Sequence, residues 1–205
     1  MRCTFDHLVV TAPTLESGAE HVRQALGVRP GPGGSHPRMG THNLLLRLGE
    51  SLFLEVIAPD PAAPHPGRPR WFGLDEVAAP RLAAWVARTD DLGACPVDVL
   101  AACGAVQTMT RGPREWLITI PADGRLPLGG ALPMLIEWQS PRAPAGAGLP
   151  EAGCALAALG LRHPEPARVQ GMLARAGFAD RVVIEAGAPG LWADIATPGG
   201  LRRLG

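Results

Sequence analysis

His7 and Glu55 are the residues from which chemistry is most readily built. His7 stands in Asp6-His7-Leu8-Val9-Val10-Thr11-Ala12-Pro13-Thr14-Leu15, and Glu55 in Leu52-Phe53-Leu54-Glu55-Val56-Ile57-Ala58-Pro59. Both segments read as short strands, so a sheet offers one imidazole and one carboxylate, donors suited to a divalent metal. Glu55 has apolar neighbours on both sides, and a carboxylate in such a run is costly unless an arginine pairs with it or a metal binds it. His7 shares alternate positions with Phe5, Val9 and Thr11, which leaves a ligand and a hydrogen-bonded core histidine as its two readings. His36, in Ser35-His36-Pro37, is a candidate general base or lid contact. Arg111, Arg114 and Trp116 have the types to clamp an anionic or flat substrate, with a solvated edge strand as the plainer reading.

Composition removes several classes. The chain contains no lysine, which excludes Schiff-base catalysis and a Walker-type phosphate lysine. The Gly-rich stretch Arg29 to Gly40 is no phosphate cradle either, since its prolines remove the backbone donors. Cys3, Cys95, Cys103 and Cys154 form no Cys-x-x-Cys pair, so they read as buried thiols rather than a zinc knot or a disulfide framework. Nineteen basic residues balance nineteen acidic ones without a basic stripe, so no nucleic-acid partner is expected. Neither a signal peptide nor a membrane span is expected, and a cytoplasmic location follows. With 46% apolar residues the chain can bury a core.

The elements that must position these residues recur along the chain. A strand at Phe5 to Thr11 leads through Pro13 to a helix with Leu15, Ala19, Val22 and Leu26 at helical spacing, closed by Gly27. A Gly/Pro/His loop, Arg29 to Thr41, precedes a hairpin of Asn43 to Leu48 and Leu52 to Ile57. The phrase returns with a strand at Leu82 to Thr89, a helix near Pro96 to Cys103, a strand at Glu115 to Pro121, a loop to Gly130, and Pro133 to Gln139. Linkers fall at Pro59 to Pro80 and Pro141 to Gly153; Trp71 and Phe72 in the first should dock and roof the site. A shorter third phrase follows: a strand at Ala155 to Leu161, a helix at Pro164 to Ala176, and a hairpin of Val182 to Glu185 with Leu191 to Ile195. The expected division is a first module at 1–60, a linker at 61–80, a second module at 81–141, and a partial third at 142–205 packed on the main sheet as an extension.

These phrases resemble the vicinal-oxygen-chelate, or glyoxalase-like, superfamily. The segments Gly33 to Asn43, Arg68 to Leu74 and Leu126 to Gly130 look like its glyoxalase-like-domain group, often found in bacterial proteins. The resemblance implies an α+β fold in which two βαβββ modules build a cupped mixed sheet. It also implies a divalent ion (Zn, Ni, Fe or Mn) that holds two neighbouring substrate oxygens and stabilises an enediolate or oxyanion.

Carried over residue by residue, His7 and Glu55 match ligands of the first module and Glu137 the closing-strand ligand of the second. Ala84 stands where a fourth ligand is expected, and His42 is a candidate to replace it or to contact substrate. Within that scheme His36 or Glu137 would move a proton beside a chelated carbonyl, and Arg114, Trp116 and Trp138 would contact substrate; a cup lined by Trp85, Trp116 and Trp138 with no ion would instead favour a binding role. Two classes remain open: a metal-dependent isomerase, lyase or dioxygenase, and a metal-free small-molecule binding or resistance protein, which the Ala84 gap favours. The superfamily's habit of pairing modules makes a homodimer fit.

Overall fold

The computed structural model describes residues 1–139 and 145–205. It has two βαβββ modules. The first comprises β1 (Cys3–Thr11), α1 (Leu15–Leu26), β2 (Gly31–His36), β3 (Thr41–Arg47) and β4 (Phe53–Pro59). The second comprises β5 (Arg81–Thr89), α2 (Val97–Cys103), β6 (Ala105–Arg111), β7 (Arg114–Ile120) and β8 (Met134–Trp138). Together they form one eight-stranded sheet, ordered β2-β3-β4-β1-β5-β8-β7-β6, so each module's first strand lies parallel to its last.

Both faces of this sheet are covered, which is why its central strands are apolar almost throughout instead of alternating. Leu8, Leu54, Val56, Trp85 and Leu135 face the helices, while Val9, Ile57, Val86, Ile118, Met134 and Ile136 face the concave side. Gly27 closes α1 at φ 75°, as its type led one to expect, and at the other end Thr14 and Ser17 form a capping box. Gly18 lets the helix approach β4, because a Cβ there would lie 2.4 Å from Val56.

The sheet curls until its two edge strands face each other. Arg38 donates to the Thr108 carbonyl at 2.6 Å and Arg68 to Gln107 at 2.6 Å, joining the first module and the linker to β6. The segment read as a loop at 29–41 contains β2, and β6 was not foreseen as a strand. Within the linker, a short 3-10 segment, Trp71–Glu76, buries Trp71 and Phe72 against the concave face; Phe72 takes φ 57° to do so. The expected second linker begins in 140–144, outside the described residues, and continues as a 3-10 turn at Ala145–Gly148.

The C-terminal segment corrects two expectations. It comprises β9 (Ala155–His163), α3 (Pro166–Arg175), β10 (Val182–Ala186), β11 (Gly190–Thr197) and β12 (Gly200–Leu204). These strands form a sheet of their own, ordered β10-β9-β11-β12, and do not extend the main one. β10 and β11 are not a hairpin, because β9 lies between them, parallel to β10 and antiparallel to β11. Leu159, Leu161, Val169, Ala193, Ile195 and Leu204 merge with the helix-side core. The segment also clasps β1: Cys3 exchanges backbone hydrogen bonds with Gly177 and Ala179, and Phe5 donates its N–H to Asp180 at 2.7 Å.

Candidate functional site

β1 carries a bulge where the chemistry is. Phe5 pairs with Ala87 and His7 with Val86, so Asp6 is the extra residue on its strand. Strict alternation would send Asp6 and His7 to opposite faces; the bulge brings them together. Asp6 is fully buried, lies 2.7 Å from His7 Nδ1, and accepts from the Trp138 indole N–H at 2.9 Å. A carboxylate can only accept, so Nδ1 is the donor, and in the neutral ring His7 Nε2 keeps its lone pair. That nitrogen lies 3.6 Å from Glu55 Oε2, too far for a good hydrogen bond. The ring itself is stacked on Phe53 at 4.6 Å.

Glu55 is 6% exposed and accepts from Asn43 Nδ2 at 2.5 Å. Asn43 Oδ1 in turn accepts from the Gly34 N–H at 2.7 Å and from Arg111 at 3.3 Å. Gly33 follows from this crossing: a Cβ there would lie 2.1 Å from Asn43 Oδ1 and 2.5 Å from its carbonyl oxygen. Gly33→Ala is therefore expected to cost about 1–3 kcal/mol of stability by overpacking. Gly31→Ala, whose added methyl would meet nothing closer than 3.8 Å, should cost less. Urea titration of the two variants checks this.

These groups floor a narrow cavity, with about 40 Å³ open to water-sized spheres, lined by His7, His36, Asn43, Glu55, Arg111 and an apolar wall that includes Phe53, Trp71, Phe72, Trp116 and Trp138. His36 meets Trp71 and Trp116 edge-on, with Nδ1 3.4 Å from Thr41 Oγ1. Burial pushes its pKa down to about 4, with Arg111 and His7 adding to the effect and Glu55 opposing it. At neutral pH it is a neutral imidazole and a weak base, a poorer proton acceptor than the expectation assumed. The unfolded chain binds this proton near the ordinary 6.5, whereas the folded chain resists until about 4. Stability is fully present above the higher value and falls as pH drops between the two, by about 3 kcal/mol in all. Urea midpoints at about pH 7 and about pH 4.5 should show the loss, and His36→Gln should flatten it.

Other residues singled out in the sequence are not brought here. His42 lies between Thr41 and Asn43, and so on the opposite face, beside Pro13, Thr14 and Pro59. Glu137 also faces away from the cavity, accepting from the Leu92 N–H at 2.7 Å and from Gln139. Register explains the misplacement. Leu8 lies opposite Trp85, so the pairing of His7 with Val86 mirrors that of Val9 with Ala84. Ala84 thus matches His7, and because Val9 pairs with Glu55 as Val86 pairs with Met134, the residue matching Glu55 is Met134, three before Glu137. Trp85 belongs to the helix-side core with Phe5 and Phe178 and walls nothing. Arg114 sits across the β6–β7 hairpin from Arg111, and of the two only Arg111 lines the cavity.

The donor set therefore does not fit the divalent centre that the resemblance implied. His7 and Glu55 supply two ligands where a catalytic site of this kind needs three, and their counterparts Ala84 and Met134 supply none. Among the described residues no group of three or more His, Cys, Asp or Glu could hold a metal ion.

A curled sheet of paired βαβββ modules around an apolar cup with a polar floor defines the vicinal-oxygen-chelate class of protein. The glyoxalase-like domain family model matches residues 5–177, and the chain belongs to that family. No match is found among curated proteins. A hypothetical protein from Staphylococcus aureus has a similar structure, with TM-score 0.63 and 13% identity over 91% of this chain and 87% of that one. Methylmalonyl-CoA epimerase from Mycobacterium tuberculosis is similar at TM-score 0.40 and 18% identity, over 65% and 85%. The first likeness is one of fold. No helix among the described residues is long and apolar enough to cross a membrane.

Proposed function

We propose that this protein is an enzyme that moves a proton on a small molecule held in the cup, and that His7 is the group that takes it. The observation that carries this reading is the buried Asp6 carboxylate on His7 Nδ1, with Nε2 directed towards Glu55. Asp6 fixes the tautomer and stabilises the imidazolium that forms, the part a buried carboxylate plays beside a catalytic histidine. Glu55, held by Asn43, adds a second negative charge beside that cation. Neutral His36 offers a hydrogen bond without competing for the proton. A carbon acid next to a carbonyl is the substrate type that such a base serves, which keeps the isomerase or lyase chemistry of the earlier expectation and dispenses with its metal. The four free, buried cysteines support a reducing compartment, the cytoplasm.

The test is hydrogen exchange. Chelator-treated protein is incubated in D2O with a panel of small carbonyl compounds, with and without zinc, nickel, iron(II) or manganese. Deuterium should enter at the carbon beside the carbonyl without added metal, and His7→Gln should stop it. Exchange that appears only with one of those ions would restore the divalent centre on His7 and Glu55. Absence of exchange throughout would leave the metal-free binding or resistance protein, the reading favoured by the missing module-two ligands.

A further inference from the structure

We infer that the ligand of this cup is a carboxylate with a flat, apolar body, and that Arg111 is the residue that selects its charge. This deepens the proton-transfer reading of the same site. Among the described residues eight arginines pair with a carboxylate, for example Arg23 with Glu20, Arg70 with Asp75 and Arg203 with Asp194. Arg111 lines the cavity half-buried, and among the described residues no carboxylate lies within 4 Å of it. Among the described residues its side chain makes one hydrogen bond, to Asn43 Oδ1, long at 3.3 Å. A guanidinium has five N–H donors in a planar fork, so most of this one's capacity is unspent where water is scarce.

The two acids nearby are already committed. Asp6 holds His7 and Trp138; Glu55 holds Asn43 and faces His7, and from there its charge already offsets part of that of Arg111. An incoming carboxylate would pair with the open fork in the bidentate manner that guanidinium favours. The rest of the lining is aromatic or branched aliphatic: Trp71, Phe72, Trp116, Ile118 and Ile136. Trp116 and Trp138 have ring centroids 5.5 Å apart and form one corner of that wall. Such walls bury an unsaturated or aromatic body. A cationic ligand, which an aromatic cage alone would attract, would meet Arg111.

Calorimetric titration with benzoate, benzamide and phenyltrimethylammonium tests the inference, because the three share a ring and differ in charge. Benzoate should bind at least about tenfold tighter than benzamide, and the cation should not bind. Arg111→Gln should weaken benzoate about ten- to a hundredfold and leave benzamide unchanged. Arg111→Lys should keep the preference for the anion. Equal binding of benzoate and benzamide, preference for the cation, failure of all three to bind, or benzoate affinity unchanged in Arg111→Gln would overturn the inference. Should the Gln variant lose benzamide as well, its cup has collapsed, and the Lys variant decides: loss of the anion preference there counts against Arg111. Since binding alone is read, carboxylate selectivity without deuterium exchange would sink the proton-transfer reading and leave this one standing.

Discussion

His7→Gln is expected to lower the exchange or turnover rate by about 10³- to 10⁴-fold while ligand affinity is unchanged. Glutamine retains a donor near Asp6 and fills much of the space, but it cannot take a proton at neutral pH. The loss should therefore appear in the rate constant and not in binding, the split expected when an interaction made only in the transition state is removed. Asp6→Asn should lie between wild type and His7→Gln. An amide no longer dictates the Nδ1–H tautomer, yet it can still accept from Trp138. Rates and dissociation constants of the two variants, measured on the same ligand, check the order.

Asp6→Ala is expected to cost about 3–5 kcal/mol of stability, because a buried charge-bearing network is broken from one side. Asp6 is fully buried, and its removal leaves both His7 Nδ1 and the Trp138 indole N–H without their acceptor. Each stranded group carries a desolvation penalty of about 1–3 kcal/mol. Trp138→Phe removes one donor together with part of its packing, so the double variant should cost less than the sum of the singles, with a coupling of about 0.5–3 kcal/mol. Urea denaturation of the four proteins of that cycle measures it.

Strands and caps were legible where local chemistry dictates them. The apolar runs around His7 and Glu55 are strands covered on both faces, and Gly27 closes α1 as its type requires. The same double coverage hid the register. With no polar alternation to fix it, Leu54-Glu55-Val56 and Ile136-Glu137-Trp138 look alike, and three residues separate the apparent match from the true one. One signal was present and unused: if Ala84 occupies the place of His7, then Trp85 beside it must face the other way.

Asp6 was hidden for the opposite reason. Alternation predicts that it faces away from His7, and a bulge is set by pairing partners far along the chain. β2 escaped detection because Gly31-Pro32-Gly33-Gly34 reads as a loop. Of its glycines, Gly33 is needed for the close crossing over Asn43. The C-terminal phrase repeats the order of elements but not their pairing, which no local pattern encodes.

The central claim is that His7, fixed by Asp6, serves as a base without a metal. Nitrogen NMR of the His7 ring in chelator-treated protein at about pH 8 tests it most directly, since it reports which nitrogen carries the proton. The account predicts the proton on Nδ1, a free lone pair on Nε2, and no change when zinc, nickel or manganese is added in equimolar amount. A proton on Nε2, or a shift of the Nε2 resonance that saturates at one ion per chain, would contradict it.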